Sequence, residues 1–224
     1  NIILANCSSS LINKIKRIKN PEIIFNKEKI RFSTFTSAIR VHQWLKNLLL
    51  FTPMIASHMI FETDAWIKTF TAFIAFSGYA SAIYILNDLL DLDNDRAHPR
   101  KKERPFASGR LPIHYGFFIM PILIIFSSLI GLLLGYEFML WLMSYLVLTT
   151  LYSFFLKPII FVDVITLGIL YTLRIIAGGA AIAILPLSPW LLAFSILLFL
   201  SLGSLLFQSE GKAHTSLFIS SDNH

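Results

Sequence analysis

One short segment, Asn87–Asp95, carries acidic side chains in a pattern that could hold a metal ion. Asp88, Asp91 and Asp95 stand at positions i, i+3 and i+7, which at roughly 100° per residue places them within about 60° of one another on a helix. Clustered carboxylates need a neutralising partner, and Mg²⁺ takes one or two of them together with water and phosphate oxygens. We predict that this segment, with Asn87, binds Mg²⁺ and a substrate diphosphate; the alternative is an acidic loop balanced by the basic residues behind it.

A basic loop, RAHPRKKERPFASGRLP, follows the acidic segment directly. Its side chains could hold phosphate oxygens, which arginine binds in a bidentate manner. For Arg100, Lys101 and Lys102 we favour a different explanation, the excess of basic residues in cytoplasmic loops of membrane proteins. For Arg104, between the acidic segment and Pro105, we favour a phosphate-binding role.

Several further charged or polar residues fall within apolar sequence. Arg174 and Asp163 are expected inside one helix, and intramembrane charges are costly, so they are either functional or paired with a neighbouring helix. Lys46 has the same two interpretations, because a lysine near a membrane surface can also extend to the interface. Tyr152 is either an interfacial aromatic residue or a hydrogen-bond donor to phosphate.

The composition sets the class of protein in which these residues must be positioned. Of the 224 residues, 55% are hydrophobic and only 14% are charged, and the mean hydropathy is +0.68. Soluble domains carry about a quarter charged residues, so we predict an all-α, polytopic transmembrane helix bundle. The net charge of +6 then reflects membrane topology, and we expect no nucleic-acid partner. The single cysteine, Cys7, excludes an internal disulfide.

Six apolar stretches approach the roughly 20 residues that a spanning helix needs. The prolines at 105, 112, 158, 186 and 189 fall between the stretches, as helix breakers should. The predicted spans are 38–58, 66–86, 114–134, 137–156, 160–184 and 189–207.

Charge asymmetry predicts how this bundle is oriented. If the N-terminus is cytoplasmic, seven basic residues of the loops between spans lie inside, whereas the three outer loops contain no lysine or arginine. The positive-inside rule requires this distribution. We therefore expect a multi-pass protein of the inner, or plasma, membrane with its acidic segment on the cytoplasmic side. The inside residues are Arg96, Arg100, Lys101, Lys102, Arg104, Arg110 and Lys157.

Three regions follow from these patterns. Residues 1–37 are polar and basic, and form either a cytoplasmic tail near anionic lipid or the end of a preceding domain. Residues 38–207 form the transmembrane domain. Residues 208–224 form a polar tail that does not continue as a span.

The motifs resemble a known family. The pattern Asn87-Asp88-x-x-Asp91-x-x-x-Asp95, followed by Arg104-Pro105 and Gly109, resembles the first motif of the UbiA superfamily of intramembrane prenyltransferases. The stretch RVHQWLKN, with Arg40, Gln43, Trp44, Lys46 and Asn47, resembles the opening of its decaprenyl-phosphate phosphoribosyltransferase branch. The stretch YSFFLK, followed by Asp163, Tyr171, Arg174 and Gly178-Gly179, resembles that branch's second motif.

The resemblance implies a function. Members of this branch transfer 5-phosphoribose from phosphoribosyl pyrophosphate to a polyprenyl (decaprenyl) phosphate, with Mg²⁺, and the product serves as a precursor of cell-wall arabinan and other glycans. It also implies nine membrane helices, so six spans lead us to expect an incomplete, C-terminally truncated version of the fold. Homo-oligomerisation remains open.

The second aspartate pair typical of aromatic-ring prenyltransferases is missing here. In the stretch after the fourth span that would hold this pair, Asp163 is the lone carboxylate, since the positions that would complete a pair are Ile159 and Leu167. This favours a phosphoribosyl donor over a prenyl diphosphate. Two alternatives are kept: an aromatic prenyltransferase of quinone or haem biosynthesis, and a truncated, inactive membrane fragment.

The predicted roles follow from the motifs. Asp88, Asp91 and Lys46 are the predicted catalytic residues, and Asp88, Asp91 and Asp95 are the predicted metal ligands. The predicted substrate-binding residues are Asn87, Arg104, Tyr152, Lys157, Asp163, Arg174, Arg40 and Gln43.

Overall fold

The computed structural model describes residues 3–5, 9–18, 21–25, 30–156 and 160–201. These residues form a helical bundle preceded by a small N-terminal unit, and the predicted helical membrane fold is confirmed. In the N-terminal unit, strands β1 (Ile3–Ala5) and β2 (Ile23–Phe25) pair in parallel on either side of helix α1 (Ser9–Lys16) in the chain.

Four helices are long and apolar enough to cross a membrane, and they correspond to the second, third, fourth and fifth predicted spans. Their limits as spanning segments are Thr63–Leu90, Ile113–Leu133, Tyr136–Phe155 and Val162–Ala181. We name the helices α4 (Thr63–Leu90), α6 (Ile113–Leu133), α7 (Tyr136–Leu151, continued by a π-helical turn Tyr152–Leu156) and α8 (Ile160–Ala181). Within the described residues, the sixth predicted span is a shorter apolar helix, α9 (Pro189–Ser201).

The first predicted span, 38–58, is not one α-helix. Helix α2 (Phe32–Ala38) ends at the first residue of this span, a 3-10 helix covers Val41–Phe51, and α3 (Thr52–Ala56) follows. The break after α2 lies at Arg40, whose φ of 51° and ψ of 51° are left-handed. Such a conformation ends a right-handed helix and is rare for a residue with a side chain. Pro53 then occupies the first turn of α3, where its missing N–H costs nothing.

Helices α4 and α8 form the centre of the bundle. In the most apolar stretch of each helix 67% of the residues are buried, against 17% in α6 and 22% in α7. Their contact with α7 and the 3-10 helix is filled by a cluster that includes Leu50, Phe76, Tyr145 and Leu170. Small residues bring the backbones close: a Cβ on Gly178 of α8 would lie 2.2 Å from the carbonyl oxygen of Leu50.

The acidic segment and the basic loop lie at the C-terminal end of α4. A short helix, α5 (Leu92–Ala97), and a 3-10 turn (Lys101–Glu103) connect α4 to α6. The loop is anchored by Phe106 and Leu111, which are buried against Ala38 and Ile85. The basic loop therefore has a fixed position over the end of α4.

Candidate active site

A cavity of about 620 Å³ opens where the C-terminal end of α4 meets the 3-10 helix, α7 and α8. Its wall combines polar and charged side chains with the apolar side chains of Leu90, Leu167 and Leu170. The charged and polar residues that line it are Arg40, Lys46, Tyr84, Asn87, Asp91, Lys101, Arg104, Tyr145, Thr149, Tyr152, Ser153, Tyr171 and Arg174.

This wall has an excess of basic side chains. Among the described residues it carries five basic side chains and one carboxylate, that of Asp91. Arg40 and Arg104 are neutralised by acidic partners behind the wall, but Lys46, Lys101 and Arg174 have no ion pair in the described part of the chain. An excess of cations in a partly apolar cavity favours a ligand with several negative charges.

The acidic segment does not present three carboxylates together. Helix α4 ends at Leu90, Asp91 takes φ −89° and ψ 12°, and α5 starts at Leu92. Asp91 lines the cavity, whereas Asp88 and Asp95 are buried beside it. Across the described residues, no three acidic, histidine or cysteine side chains are grouped closely enough to hold a metal ion by themselves. The predicted set of three metal ligands remains a prediction.

Two arginines bind the buried carboxylates. Arg104 Nη1 donates to Asp95 Oδ2 at 2.6 Å and to Asp88 Oδ1 at 3.1 Å, and Arg40 Nη2 donates to the same oxygen of Asp88. The other oxygen, Asp88 Oδ2, is buried and has no hydrogen-bond partner among the described residues. A buried carboxylate oxygen normally has a hydrogen-bond partner, so this atom could accept a ligand. The guanidinium of Arg40 also lies 5.1 Å from the ring centre of Tyr84.

The 3-10 helix is held against α4 by a row of polar contacts. Trp44 Nε1 donates to Ser81 Oγ at 3.0 Å, and Asn47 Nδ2 donates to Ser77 Oγ at 3.0 Å. Long 3-10 helices are uncommon, and this one of 11 residues places Arg40 and Lys46 on the cavity. Gln43 is half-buried and does not line the cavity.

Arg174 is buried in the cavity wall and joins three elements. Its Nε donates to Asn47 Oδ1 at 2.9 Å, its Nη2 to the Tyr145 hydroxyl at 2.9 Å, and its Nη1 to the Leu170 carbonyl at 2.6 Å. Among the described residues, no carboxylate pairs with it. Its charge is therefore available to a ligand, and within the described helices the alternative of a structural ion pair with a neighbouring helix is not found.

Tyr152 lines the cavity and binds Asp163 behind it. The Tyr152 hydroxyl donates to Asp163 Oδ1 at 2.6 Å, which ties the π-helical turn to α8. Asp163 itself does not line the cavity. Lys157 lies outside the described residues.

The cavity also contains residues that sequence reasoning did not assign to the site. Lys101 was interpreted as a topology signal, and Tyr84 and Tyr145 were not singled out. Tyrosines are frequent in membrane helices, so neither residue carried a signal of its own. Tyr84 precedes the predicted site residue Asp88 by four residues on the same helix. Residues at this spacing share one helix face, so the sequence could have pointed to Tyr84.

The comparisons with known proteins agree with this architecture. The model of the UbiA prenyltransferase family matches residues 49–213. A decaprenyl-phosphate phosphoribosyltransferase of Mycolicibacterium smegmatis is 35% identical over 83% of this chain and 57% of its own length. The nodulation protein NoeC of Azorhizobium caulinodans is 37% identical over 81% of this chain and 60% of its own length. The uncharacterized protein y4nM of Sinorhizobium fredii is 42% identical over 74% of this chain and 32% of its own length.

A solved structure from work on digeranylgeranylglyceryl phosphate synthase in membranes shares the fold. The TM-score is 0.61 at 20% identity, over 75% of this chain and 58% of that one. The chain spans less than two thirds of the length of each of these relatives. The match of the family model over most of the sequence establishes that the chain, which also has the helical fold described above, belongs to the UbiA prenyltransferase family.

Proposed function

We propose that this protein transfers 5-phosphoribose from phosphoribosyl pyrophosphate to a polyprenyl phosphate, releasing pyrophosphate. The observation that carries the proposal is the cavity at the end of α4, with its five basic side chains and single carboxylate. The donor carries a diphosphate and a separate 5-phosphate, and the acceptor carries a phosphate. A reaction among three phosphate-bearing groups requires the cationic excess that this cavity has.

The relatives support this choice of substrates over an aromatic acceptor. The Mycolicibacterium smegmatis relative is named for decaprenyl phosphate and phosphoribose. The sequence also lacks the second aspartate pair that a prenyl diphosphate would use, since Ile159 and Leu167 occupy those positions. We propose that the product is a glycan precursor for the cell wall.

The residues at the end of α4 fit a Mg²⁺ ion. Asn87 and Asp91 line the cavity, and Asp88 Oδ2 is a buried oxygen with no hydrogen-bond partner in the part of the chain that the structure describes. Mg²⁺ usually takes one or two carboxylates and fills its remaining positions with water and phosphate oxygens. When bound there it would neutralise charge on the departing diphosphate.

The proposed reaction is a displacement at the anomeric carbon of the ribose. A bond forms between that carbon and an oxygen of the lipid phosphate, while the bond to the pyrophosphate oxygen breaks with its electron pair leaving on pyrophosphate. The lipid phosphate is already anionic, so the reaction needs little general-base assistance. Orientation and charge stabilisation by Lys46, Arg104 and Arg174 then supply most of the rate enhancement.

The apolar part of the wall suits the lipid acceptor. Ile83, Leu90, Leu167 and Leu170 line the cavity beside the charged groups. A cavity at the end of membrane helices lets a polyprenyl chain stay in the bilayer while its phosphate reaches the cations. We propose that the cavity faces the cytoplasm of a bacterial inner membrane, where soluble phosphoribosyl pyrophosphate is found.

The test is an assay of the chain in bacterial membranes with radiolabelled phosphoribosyl pyrophosphate, a short polyprenyl phosphate and Mg²⁺. We expect pyrophosphate release and a labelled lipid product, and we expect Asp91→Asn to reduce the rate by about a hundredfold or more, as loss of a group on the reacting charge typically does. Asp93→Asn is the matched control, because the Asp93 side chain is 98% exposed.

Two results would contradict the proposal. Activity confined to a prenyl diphosphate with an aromatic acid would favour the aromatic prenyltransferase. No product from either pair of substrates, with the protein folded in the membrane, would favour an inactive fragment.

A further inference from the structure

Asp95 and Arg104 form a contact that the proposed reaction does not by itself explain. Asp95 is buried and does not line the cavity, and its Oδ2 is 2.6 Å from Arg104 Nη1. The same nitrogen lies 3.1 Å from Asp88 Oδ1. Arg104 itself lines the cavity with its side chain 28% exposed. One arginine thus connects a buried carboxylate to the surface where substrate would bind.

The loop around Arg104 holds its backbone in place. Its N–H donates to the Lys101 carbonyl at 2.9 Å, and its own carbonyl accepts from the Ser108 N–H at 2.9 Å. Phe106, two residues on, is buried in the cluster with Ala38 and Ile85. The position of the Arg104 backbone is therefore fixed by the loop, and the direction of its guanidinium is left to Asp88 and Asp95.

The charges show why two carboxylates are needed. Arg40 and Arg104 both donate to Asp88 Oδ1, so without Asp95 two guanidinium groups would depend on one oxygen. With Asp95 present, the two guanidinium charges are balanced by two carboxylate charges, and Arg104 is held where it lines the cavity. Removal of one partner of a buried ion pair leaves the other charge uncompensated, which is strongly unfavourable.

We infer that Asp95 is a positioning residue that acts through Arg104, directing its guanidinium toward the diphosphate of the substrate, and that Asp95 is not a metal ligand. This inference rests on the proposed function for the presence of a diphosphate in the cavity. It differs from the prediction that Asp88, Asp91 and Asp95 hold the metal together. Asp91 lines the cavity and Asp95 does not, and Asp95 Oδ2 is held by Arg104.

The experiment measures metal and anion binding separately on the purified chain in lipid nanodiscs. Mn²⁺, a spectroscopic substitute for Mg²⁺, is followed by electron paramagnetic resonance, and inorganic pyrophosphate is followed by calorimetry in saturating Mn²⁺. We expect Asp95→Asn to leave the Mn²⁺ affinity within about twofold of wild type. We expect the same change to lower the pyrophosphate affinity by about tenfold, which is the usual contribution of a hydrogen bond to a charged group. Asp91→Asn should lower the affinity for Mn²⁺ itself, and Asp93→Asn should change neither the Mn²⁺ affinity nor the pyrophosphate affinity.

A double-mutant cycle tests whether Asp95 acts through Arg104. We expect Asp95→Asn to have no further effect on pyrophosphate affinity once Arg104→Gln is present, because the group it directs is gone. Independent, additive losses would overturn the inference, and so would a loss of Mn²⁺ affinity in Asp95→Asn equal to that in Asp91→Asn. A wild-type chain that binds no pyrophosphate would overturn it as well.

Two safeguards keep the result clear. If Asp95→Asn does not fold, Asp95→Glu replaces it in the experiment, because glutamate retains the carboxylate. This variant should retain both affinities to within about threefold, a difference of well under 1 kcal/mol. Loss of Mn²⁺ binding in this variant would count against the inference. If Asp95 and Arg104 are coupled in pyrophosphate binding but the protein does not turn over phosphoribosyl pyrophosphate, the proposed function is contradicted and the inference about Asp95 is supported.

Discussion

Arg174 shows how a single residue can serve both the fold and the site. Its guanidinium is buried, yet its donors reach Asn47, Tyr145 and the Leu170 carbonyl without a carboxylate partner in the described part of the chain. The Tyr145 ring centre lies 4.8 Å from its guanidinium carbon, which further stabilises the charge. Neutral partners hold the guanidinium in place without cancelling its charge, so an anion in the cavity can still be attracted to it.

We predict that Arg174→Lys destabilises the protein although it keeps the charge. A lysine ammonium is a single point and cannot reach three partners in different directions, so Asn47 Oδ1 and the Leu170 carbonyl compete for it. The expected loss is about 2 kcal/mol in the free energy of unfolding, within the range for buried hydrogen bonds to charged groups. It would be measured by denaturation with sodium dodecyl sulfate in mixed micelles.

Arg96→Lys is the matched control for this change. Arg96 is about half exposed and lies 3.7 Å from the exposed Asp93, so its replacement should leave the unfolding free energy within about 0.5 kcal/mol. Equal stability of the Arg174→Lys and Arg96→Lys proteins would show that the three contacts of Arg174 do not contribute to folding.

At the scale of elements, the site depends on how closely α8 approaches the 3-10 helix. Gly178 has room for hydrogen only, because a Cβ there would lie 2.2 Å from the Leu50 carbonyl oxygen. One turn earlier on α8, Arg174 reaches Asn47 on the same 3-10 helix. The close approach at Gly178 and the contact at Arg174 are thus parts of one interface between the two elements.

Gly178→Ala is expected to destabilise this interface by about 2 kcal/mol, because the added methyl group meets backbone that cannot rotate away. The change should also lower pyrophosphate affinity, since moving α8 outward separates Arg174 from the cavity. Gly168→Ala on the same helix is the control: the atoms nearest its Cβ would all belong to Leu200, at 3.4 to 3.9 Å, which are ordinary van der Waals distances, so stability should hold or rise. Thermal unfolding in detergent would compare the two variants, and a Gly178→Ala protein as stable as Gly168→Ala would contradict the interface described.

The apolar segments and the acidic motif were predictable from the sequence, and the contacts between them were not. Hydropathy and proline positions located α4, α6, α7 and α8. No local pattern predicts that Arg40 turns left-handed or that its guanidinium reaches Asp88, which is 48 residues away in the chain. Helical spacing predicted one carboxylate face, but the interruption at Asp91 separates the residue that faces the cavity from Asp88 and Asp95.

At the scale of the whole molecule, polarity and burial are distributed in the way a membrane requires. Helix α6 is the most apolar of the four spanning helices and the least buried, whereas α4 and α8 are largely buried and carry Asp88 and Arg174. Lipid chains are as apolar as leucine, so the helices with polar groups must be enclosed and the purely apolar ones can face outward. The cavity therefore opens at one end of the bundle, beside the basic loop that connects α4 to α6.

This arrangement gives a prediction about the orientation of the protein in the membrane. By the positive-inside rule, the basic loop is expected on the cytoplasmic side. Cys7 is the one cysteine of the sequence, so a Cys7→Ser background allows single cysteines to be placed at Lys102 in the loop and at Glu62, both exposed, at opposite ends of α4.

In bacterial spheroplasts, a membrane-impermeant maleimide should label Glu62→Cys directly and Lys102→Cys only after the membrane is permeabilised. Both positions are exposed and they lie at opposite ends of α4, so each is the control for the other. Labelling of Lys102→Cys in sealed spheroplasts would place the cavity outside, away from cytoplasmic phosphoribosyl pyrophosphate, and would remove the donor from the proposed reaction.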